Sequence, residues 1–300
     1  MENTVPPRAS LPASSVLSHR RTVLAGIGAT MATTALATRT RAAEPVRVGM
    51  IPDAGATQVS IEQKAPLESY LAQALGRPVK LVIPTSYNAT VEGLGNGSLD
   101  FAYLGGLTYV KAHASYNVIP LVQRKLDTEF HSLFITQANA PIHTLADLHG
   151  KTFAFGDINS TSGHLMPYRA MAEAGVDPDK DLKWSRFTGS HAATVQAVAA
   201  GIADAGACDE TVFHSLVESG KIDGSKVRAF YTTPAFVDYV WAARSDIAPD
   251  LRTKFGDAFL RLTPAHDAAV LAILRGDNFV AATDAEYSAI REVATRLSML

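Results

Sequence analysis

Short β-prone runs alternate with helical patterns from residue 46 onward, and this alternation confines the chain to a few architectures. Strands are expected at 46–51, 79–83, 101–104 and 118–122, with helices at 60–74, 88–94 and 107–114 between them. A second series follows residues 134–136. It has a short helix at 144–148, strands at 152–155, 182–187, 205–208 and 227–231, and helices at 163–174, 192–200 and 210–219. A further strand at 239–243 and three helical segments complete the chain. Such alternation specifies an α/β fold in which a parallel sheet is flanked by helices. Two α/β series joined by β-like crossings near 135 and 238 predict two lobes linked by two strands. Lobe 1 takes residues 44–136 and 238–300, and lobe 2 takes 137–237. Ligands of open α/β sheets sit beyond the C-terminal ends of the strands. The expected cleft therefore gathers the loops 51–57, 103–106, 156–163, 187–191 and 208–210.

Residues 1–43 stand outside this pattern. Arg20-Arg21 precedes a weakly apolar run from 23 to 32, followed by small residues and Ala42-Ala43, as in an export signal. The paired arginines, with Arg39 and Arg41 near the cleavage site, predict a twin-arginine-like route to the periplasm. A disordered cytoplasmic leader is the plainer alternative. Removing this segment takes away five arginines and one glutamate, leaving six more acidic than basic side chains. An acidic chain without basic clusters is a poor partner for nucleic acid or an anionic membrane. No second apolar segment follows the signal, so no direct membrane insertion is expected after its removal. The only cysteine is Cys208, so an internal disulfide is excluded and the core must hold the fold. Cys208 reads as a small buried residue.

The most distinctive local feature is the turn Gly156-Asp157-Ile158-Asn159-Ser160-Thr161-Ser162-Gly163, between a β-prone run and a helix. A helix start leaves N–H groups unsatisfied and carries partial positive charge, so it attracts anions. Simple capping also explains a serine or threonine there. One hydroxyl suffices for a cap, however, and three in a row leave a surplus. Tyr103 ends a strand before Gly105-Gly106 and can offer a phenolic hydroxyl, or can be a partly buried aromatic. His191 opens a helix behind Ser190 and can donate to an oxyanion, or can be a surface histidine near a cap. Asp209 follows the strand at 205–208. A carboxylate there can accept the O–H of a monoprotonated phosphite, phosphonate or phosphate but repels a fully ionised anion; N-capping is its ordinary role.

Catalytic and cofactor chemistry find little support. Ser162, His191 and Asp209 have the residue types of a hydrolytic triad, but no G-x-S-x-G elbow is present. No zinc spacing, P-loop or dinucleotide fingerprint occurs, so neither metal nor cofactor is expected.

Taken together these segments resemble the PhnD-like phosphate/phosphite/phosphonate-binding proteins of ABC importers, over nearly all of residues 45–297. The resemblance rests on residues 48–52, on Pro84-Thr85-Ser86-Tyr87, on 100–105, on 145–163, on 189–198 and on 279–284. It implies a type II periplasmic-binding-protein fold whose cleft closes on a tetrahedral phosphorus oxyanion and docks with an inner-membrane ABC permease. The family's Ser-Thr-Ser turn falls on Ser160, Thr161 and Ser162, its cleft tyrosine on Tyr103, its helix-start histidine on His191 and its proton-accepting aspartate on Asp209. The chain departs from the pattern at Gly106, where the family often has proline. It departs again at Ala54-Gly55-Ala56-Thr57, which lacks a bulky residue over the ligand, and at Cys208 and Glu210, which flank Asp209. The alternatives are the same fold binding a sulfonate or a small organic solute such as a thiamine precursor, a secreted phosphorus-ester hydrolase, and a ligand-sensing partner of a membrane receptor.

Overall fold

The structure, a computed structural model, describes residues 44–52 and 61–300. The expected export segment and most of the 51–57 loop, residues 54–57 included, lie outside the described residues. The first sheet has the order β11-β4-β10-β3-β1-β2. Its strands are β1 (Val46–Met50), β2 (Val79–Val82), β3 (Phe101–Leu104), β4 (Ile119–Arg124), β10 (Val240–Ala243) and β11 (Phe279–Ala281). The second sheet, order β7-β6-β8-β5-β9, is built from β5 (Ser132–Gln137), β6 (Thr152–Phe155), β7 (Trp184–Phe187), β8 (Ala205–Asp209) and β9 (Val227–Thr232). Among the described residues, three helices lie between the strands of the first lobe. They are α1 (Ala65–Leu75), α2 (Tyr87–Gly95) and α3 (Gly106–Tyr116). The second lobe carries α4 (Met166–Glu173), α5 (His191–Ala199) and α6 (Glu210–Glu218); α7 (Pro249–Leu260), α8 (Pro264–Leu274) and α9 (Ser288–Arg296) return to the first.

Sequence periodicity explains how these elements pack. In α1 the leucines 67, 71 and 75 recur every four residues, form one buried stripe, and each contributes roughly 1.5–3 kcal/mol by leaving water. β3 and β10, at the middle of their sheet, are buried along their whole length, as strands covered on both faces must be. The Phe101 ring stacks on Phe255 of α7 at 4.0 Å, and Trp241 packs on Phe255 and Phe259.

Two expectations are corrected. The sheets are mixed, not parallel throughout: β10 runs antiparallel to β3 and β4, β11 to β4, and β5 to β8 and β9. β5 and β10 enter their sheets directly from the other lobe without a crossover helix, so they run against their neighbours. The first crossing also falls earlier than residue 136, because β5 belongs wholly to the second sheet. It occupies 125–131, including a 3-10 turn at Lys125–Glu129. The second crossing spans 233–239, near the expected 238. The crossings pair through an antiparallel bridge, in which Phe130 N–H donates to Phe236 C=O at 2.8 Å and Phe236 N–H to Phe130 C=O at 2.9 Å.

A buried ion pair braces this hinge. Arg124 and Asp127 are both fully enclosed and meet through two charge-assisted bonds, Nε to Oδ2 at 2.7 Å and Nη2 to Oδ1. Arg124 also donates to the carbonyls of Leu274 and Arg275 and lies 5.2 Å from the ring centre of Tyr239. Burial opposes its charge, and Asp127 holds the guanidinium ionised.

Candidate ligand-binding cleft

The lobes are closed on one another. Leu107 N–H at the start of α3 donates to Thr161 Oγ1 at 2.9 Å, Thr108 Oγ1 to the Asn159 carbonyl at 3.2 Å, and Lys111 Nζ to Asn159 Oδ1 at 2.7 Å. The N–H of Tyr87 donates to the Asp157 carboxylate. From the second crossing, the Tyr239 hydroxyl lies 3.2 Å from His191 Nε2.

Within this closed cleft the three hydroxyls of the turn have three different fates. Ser160 Oγ accepts from Gly163 N–H at 2.9 Å and caps the π-helical turn Thr161–Leu165 that leads into α4. Thr161 Oγ1 spans the lobes, accepting from Leu107 N–H and donating to the Asp238 carboxylate. Ser162 Oγ is fully buried and has no partner among the described residues. Capping therefore accounts for one hydroxyl of the three.

Asp209 divides its work in the same way. Its Oδ1 accepts from Val212 N–H at 2.9 Å, capping α6, and from Thr211 Oγ1 at 2.7 Å. Its Oδ2 is buried with no partner among the described residues. Burial pushes its pKa up, but His191, Arg275 and Arg124 outweigh burial and hold the carboxyl below its usual range. The group is an ionised acceptor. His191 sits beside it, with Nδ1 accepting from Asp209 N–H at 3.1 Å. The proton of a neutral imidazole is thereby fixed on Nε2, the nitrogen near the Tyr239 hydroxyl.

Gly163 makes this proximity possible. A Cβ on it would stand 2.9 Å from Ser160 Oγ and 3.0 Å from His191 Cε1, so only glycine lets the turn lie against the imidazole. From the first lobe, Tyr103 stacks on Tyr239 with ring centres 5.1 Å apart, and its hydroxyl is buried without a partner among the described residues. Burial keeps this phenol neutral by raising its pKa well above the ordinary value. It is a donor held against aromatic walls.

Sequence reasoning missed Ser132 and Asp238. Ser132 opens β5 directly opposite Asp209, and its buried Oγ has no partner among the described residues. A lone serine at a strand start carries no signal, and only the register of the two strands brings it to the aspartate. Asp238 lies in the second crossing, where its Oδ1 accepts from Gly106 N–H at 2.9 Å. A separate groove of about 360 Å³ lies between α4, α9 and the second crossing, lined in part by Met166, Arg169, Glu173, Phe236 and Ile290. None of the six sequence-selected residues lines it.

The sequence model of the family described as "ABC transporter, phosphonate, periplasmic substrate-binding protein" matches residues 48–287. The probable ABC transporter phosphite-binding protein PhnD1 of Prochlorococcus marinus (strain MIT 9301) is 31% identical over 275 residues, covering 85% of this chain and 90% of that protein. The phosphate-import protein PhnD of Mycolicibacterium smegmatis is 28% identical over 251 residues, 76% of this chain and 78% of its own length. The solved structure of Prochlorococcus PhnD1 in complex with methylphosphonate superimposes with a TM-score of 0.79 at 30% identity, over 85% of this chain and 98% of that one. Two mixed α/β lobes closing on a buried polar cleft define a type II periplasmic-binding protein. The chain belongs to the phosphonate periplasmic substrate-binding proteins of ABC transporters.

Proposed function

We propose that this protein binds a monoprotonated phosphorus oxyanion, a phosphonate, phosphite or phosphate, and presents it in the closed form to an inner-membrane ABC permease. One observation carries the reading. Tyr103 Oη from the first lobe, and Ser162 Oγ and Asp209 Oδ2 from the second, are buried side-chain oxygens with no partner among the described residues. Buried polar atoms demand partners, and two neutral donors with one ionised acceptor suit an anion that still carries one proton. His191 Nε2 adds a further donor, and the helix starts at Thr161 and His191 contribute partial positive charge. Ser160 and Thr161 belong to the same site, shaping the turn and joining the lobes. The protein acts by binding and hinge closure, not by turnover, and reaches the periplasm through its twin-arginine-like signal.

Calorimetric titration with phosphite, methylphosphonate, 2-aminoethylphosphonate, phosphate and sulfate across pH 5 to 8 tests the reading. Tight binding of a phosphorus anion with sulfate silent is expected. Silence from all four phosphorus anions, or preference for sulfate, overturns it.

A further inference from the structure

Asp238 is set apart by its position in the second crossing, at the line where the two lobes meet. Its Oδ1 is held from both sides. Gly106 N–H reaches it from the start of α3 in the first lobe, and the Thr161 hydroxyl reaches it from the turn of the second. A Cβ on Gly105 would lie 3.3 Å from Thr161 Oγ1 and 3.4 Å from Asp238 Oδ1, so the three groups form one tight cluster. Asp238 Oδ2 is buried and has no partner among the described residues. The bond from Gly106 exists only because this residue has an N–H, which a proline would lack.

We propose that Thr161 and Asp238 form a proton-dependent latch between the lobes, in which closing the cleft over its ligand takes up one proton on Asp238. This proposal rests on the function stated above but concerns closure, not the contacts to the ligand.

The charges around the carboxyl favour protonation. The acids Asp127, from the first crossing, and Asp209, at the end of β8, both raise its pKa, and the phenols of Tyr239 and Tyr287 lie near it. The Gly106 N–H and the Thr161 hydroxyl oppose them, but burial dominates, and the group is pushed up to about 7. Opening the cleft admits water to the carboxyl, and this solvation outweighs the loss of the Thr161 hydroxyl and returns the group towards the ordinary aspartate range. The closed state then holds a proton that the open state releases. Thr161 acts as a positioning residue, since its hydroxyl is spent between Leu107 and Asp238.

The test is calorimetry with methylphosphonate between pH 5.5 and 7.5 in buffers of different ionisation enthalpy. It uses the protein, Asp238→Asn, Thr161→Val and Thr161→Ser. Affinity of the unaltered protein is expected to fall about twentyfold more over this range than that of Asp238→Asn, with tenfold per pH unit as the limit for one proton. Asp238→Asn is expected to take up correspondingly fewer protons. Thr161→Val weakens binding, Thr161→Ser restores it, and the Val effect shrinks in the Asp238→Asn background. Equal pH slopes and equal proton uptake in the protein and Asp238→Asn overturn the latch while leaving the ligand reading intact.

Failure of the unaltered protein to bind any of the phosphorus anions overturns the ligand reading instead. The latch is then judged by small-angle scattering. The radius of gyration is expected to rise with pH in the protein and to stay constant in Asp238→Asn; identical profiles overturn it. Should Asp238→Asn fail to fold, Thr161→Val carries the comparison: it removes a donor that favours the carboxylate, so the fall in proton uptake is expected to move to higher pH, and an unmoved profile overturns the latch.

Discussion

Ser132 and Asp209 face each other across the antiparallel ladder of β5 and β8, and each carries a buried side-chain oxygen with no partner among the described residues. Directly opposed residues in such a ladder project to the same face. The carboxylate at the end of β8 thus shares a face of the sheet with a neutral hydroxyl from the first residue of β5.

Ser162→Ala and Asp209→Ala are each expected to weaken binding of the preferred phosphorus anion by more than about 1.5 kcal/mol, since each removes a buried partner from a charged ligand. Ser132→Ala is expected to have a smaller effect in the same direction. Asp209→Asn should relax discrimination against sulfate, because the amide can donate where the carboxylate repels. Competition titrations with sulfate at constant pH measure this directly.

Gly163→Ala should damage the site through its shape. The new methyl would stand 2.9 Å from Ser160 Oγ, closer than real contacts allow, and 3.0 Å from His191 Cε1, tight enough that the ring must give way slightly. The cap or the imidazole must then move, and affinity should fall at least tenfold while the unfolding midpoint drops only slightly. Circular dichroism melts paired with titration separate the two effects.

Arg124→Met leaves Asp127 as a buried carboxylate without its counter-charge. Breaking one partner of such a pair costs about 3–5 kcal/mol. A clear loss in denaturant midpoint is expected, and Arg124→Met combined with Asp127→Leu should recover much of it.

Asp238 also predicts how stability depends on pH. Its folded pKa of about 7 lies above the ordinary 3.8, so between those values the folded state holds more protons than the unfolded chain. The unfolding free energy contributed by this group therefore falls as pH rises from about 4 towards 7 and is level above that. Asp238→Asn should flatten this part of the profile in melts recorded with the cleft held closed by saturating methylphosphonate.

Much of this arrangement was legible in the residues. The alternation of strands and helices announced the α/β class, and the surplus of hydroxyls at 160–162 marked the turn. The aspartate before α6 was readable as a cap, which its Oδ1 fills, while its Oδ2 is left buried without a partner among the described residues. Strand direction was not legible, because β5 and β10 have the same composition whichever way they run. The three residues of β11 are too short for a periodic signal. Ser132 and Asp238 were hidden for a related reason: each is significant only through partners 77 to 132 positions away, Asp209 for one and Thr161 and Gly106 for the other.

The order of the first sheet has a consequence for how the molecule is made. β10 lies between β3 and β4, yet its residues follow the entire second lobe in the chain. A nascent polypeptide that has reached residue 232 contains every strand of the second sheet, which can close on itself. The first sheet at that moment is split, with β3 and β4 lacking the strand that joins them. The tyrosine wall of the cleft therefore forms late: Tyr103 waits for Tyr239 and Trp241, and the candidate site is complete only when the last part of the chain returns to the first.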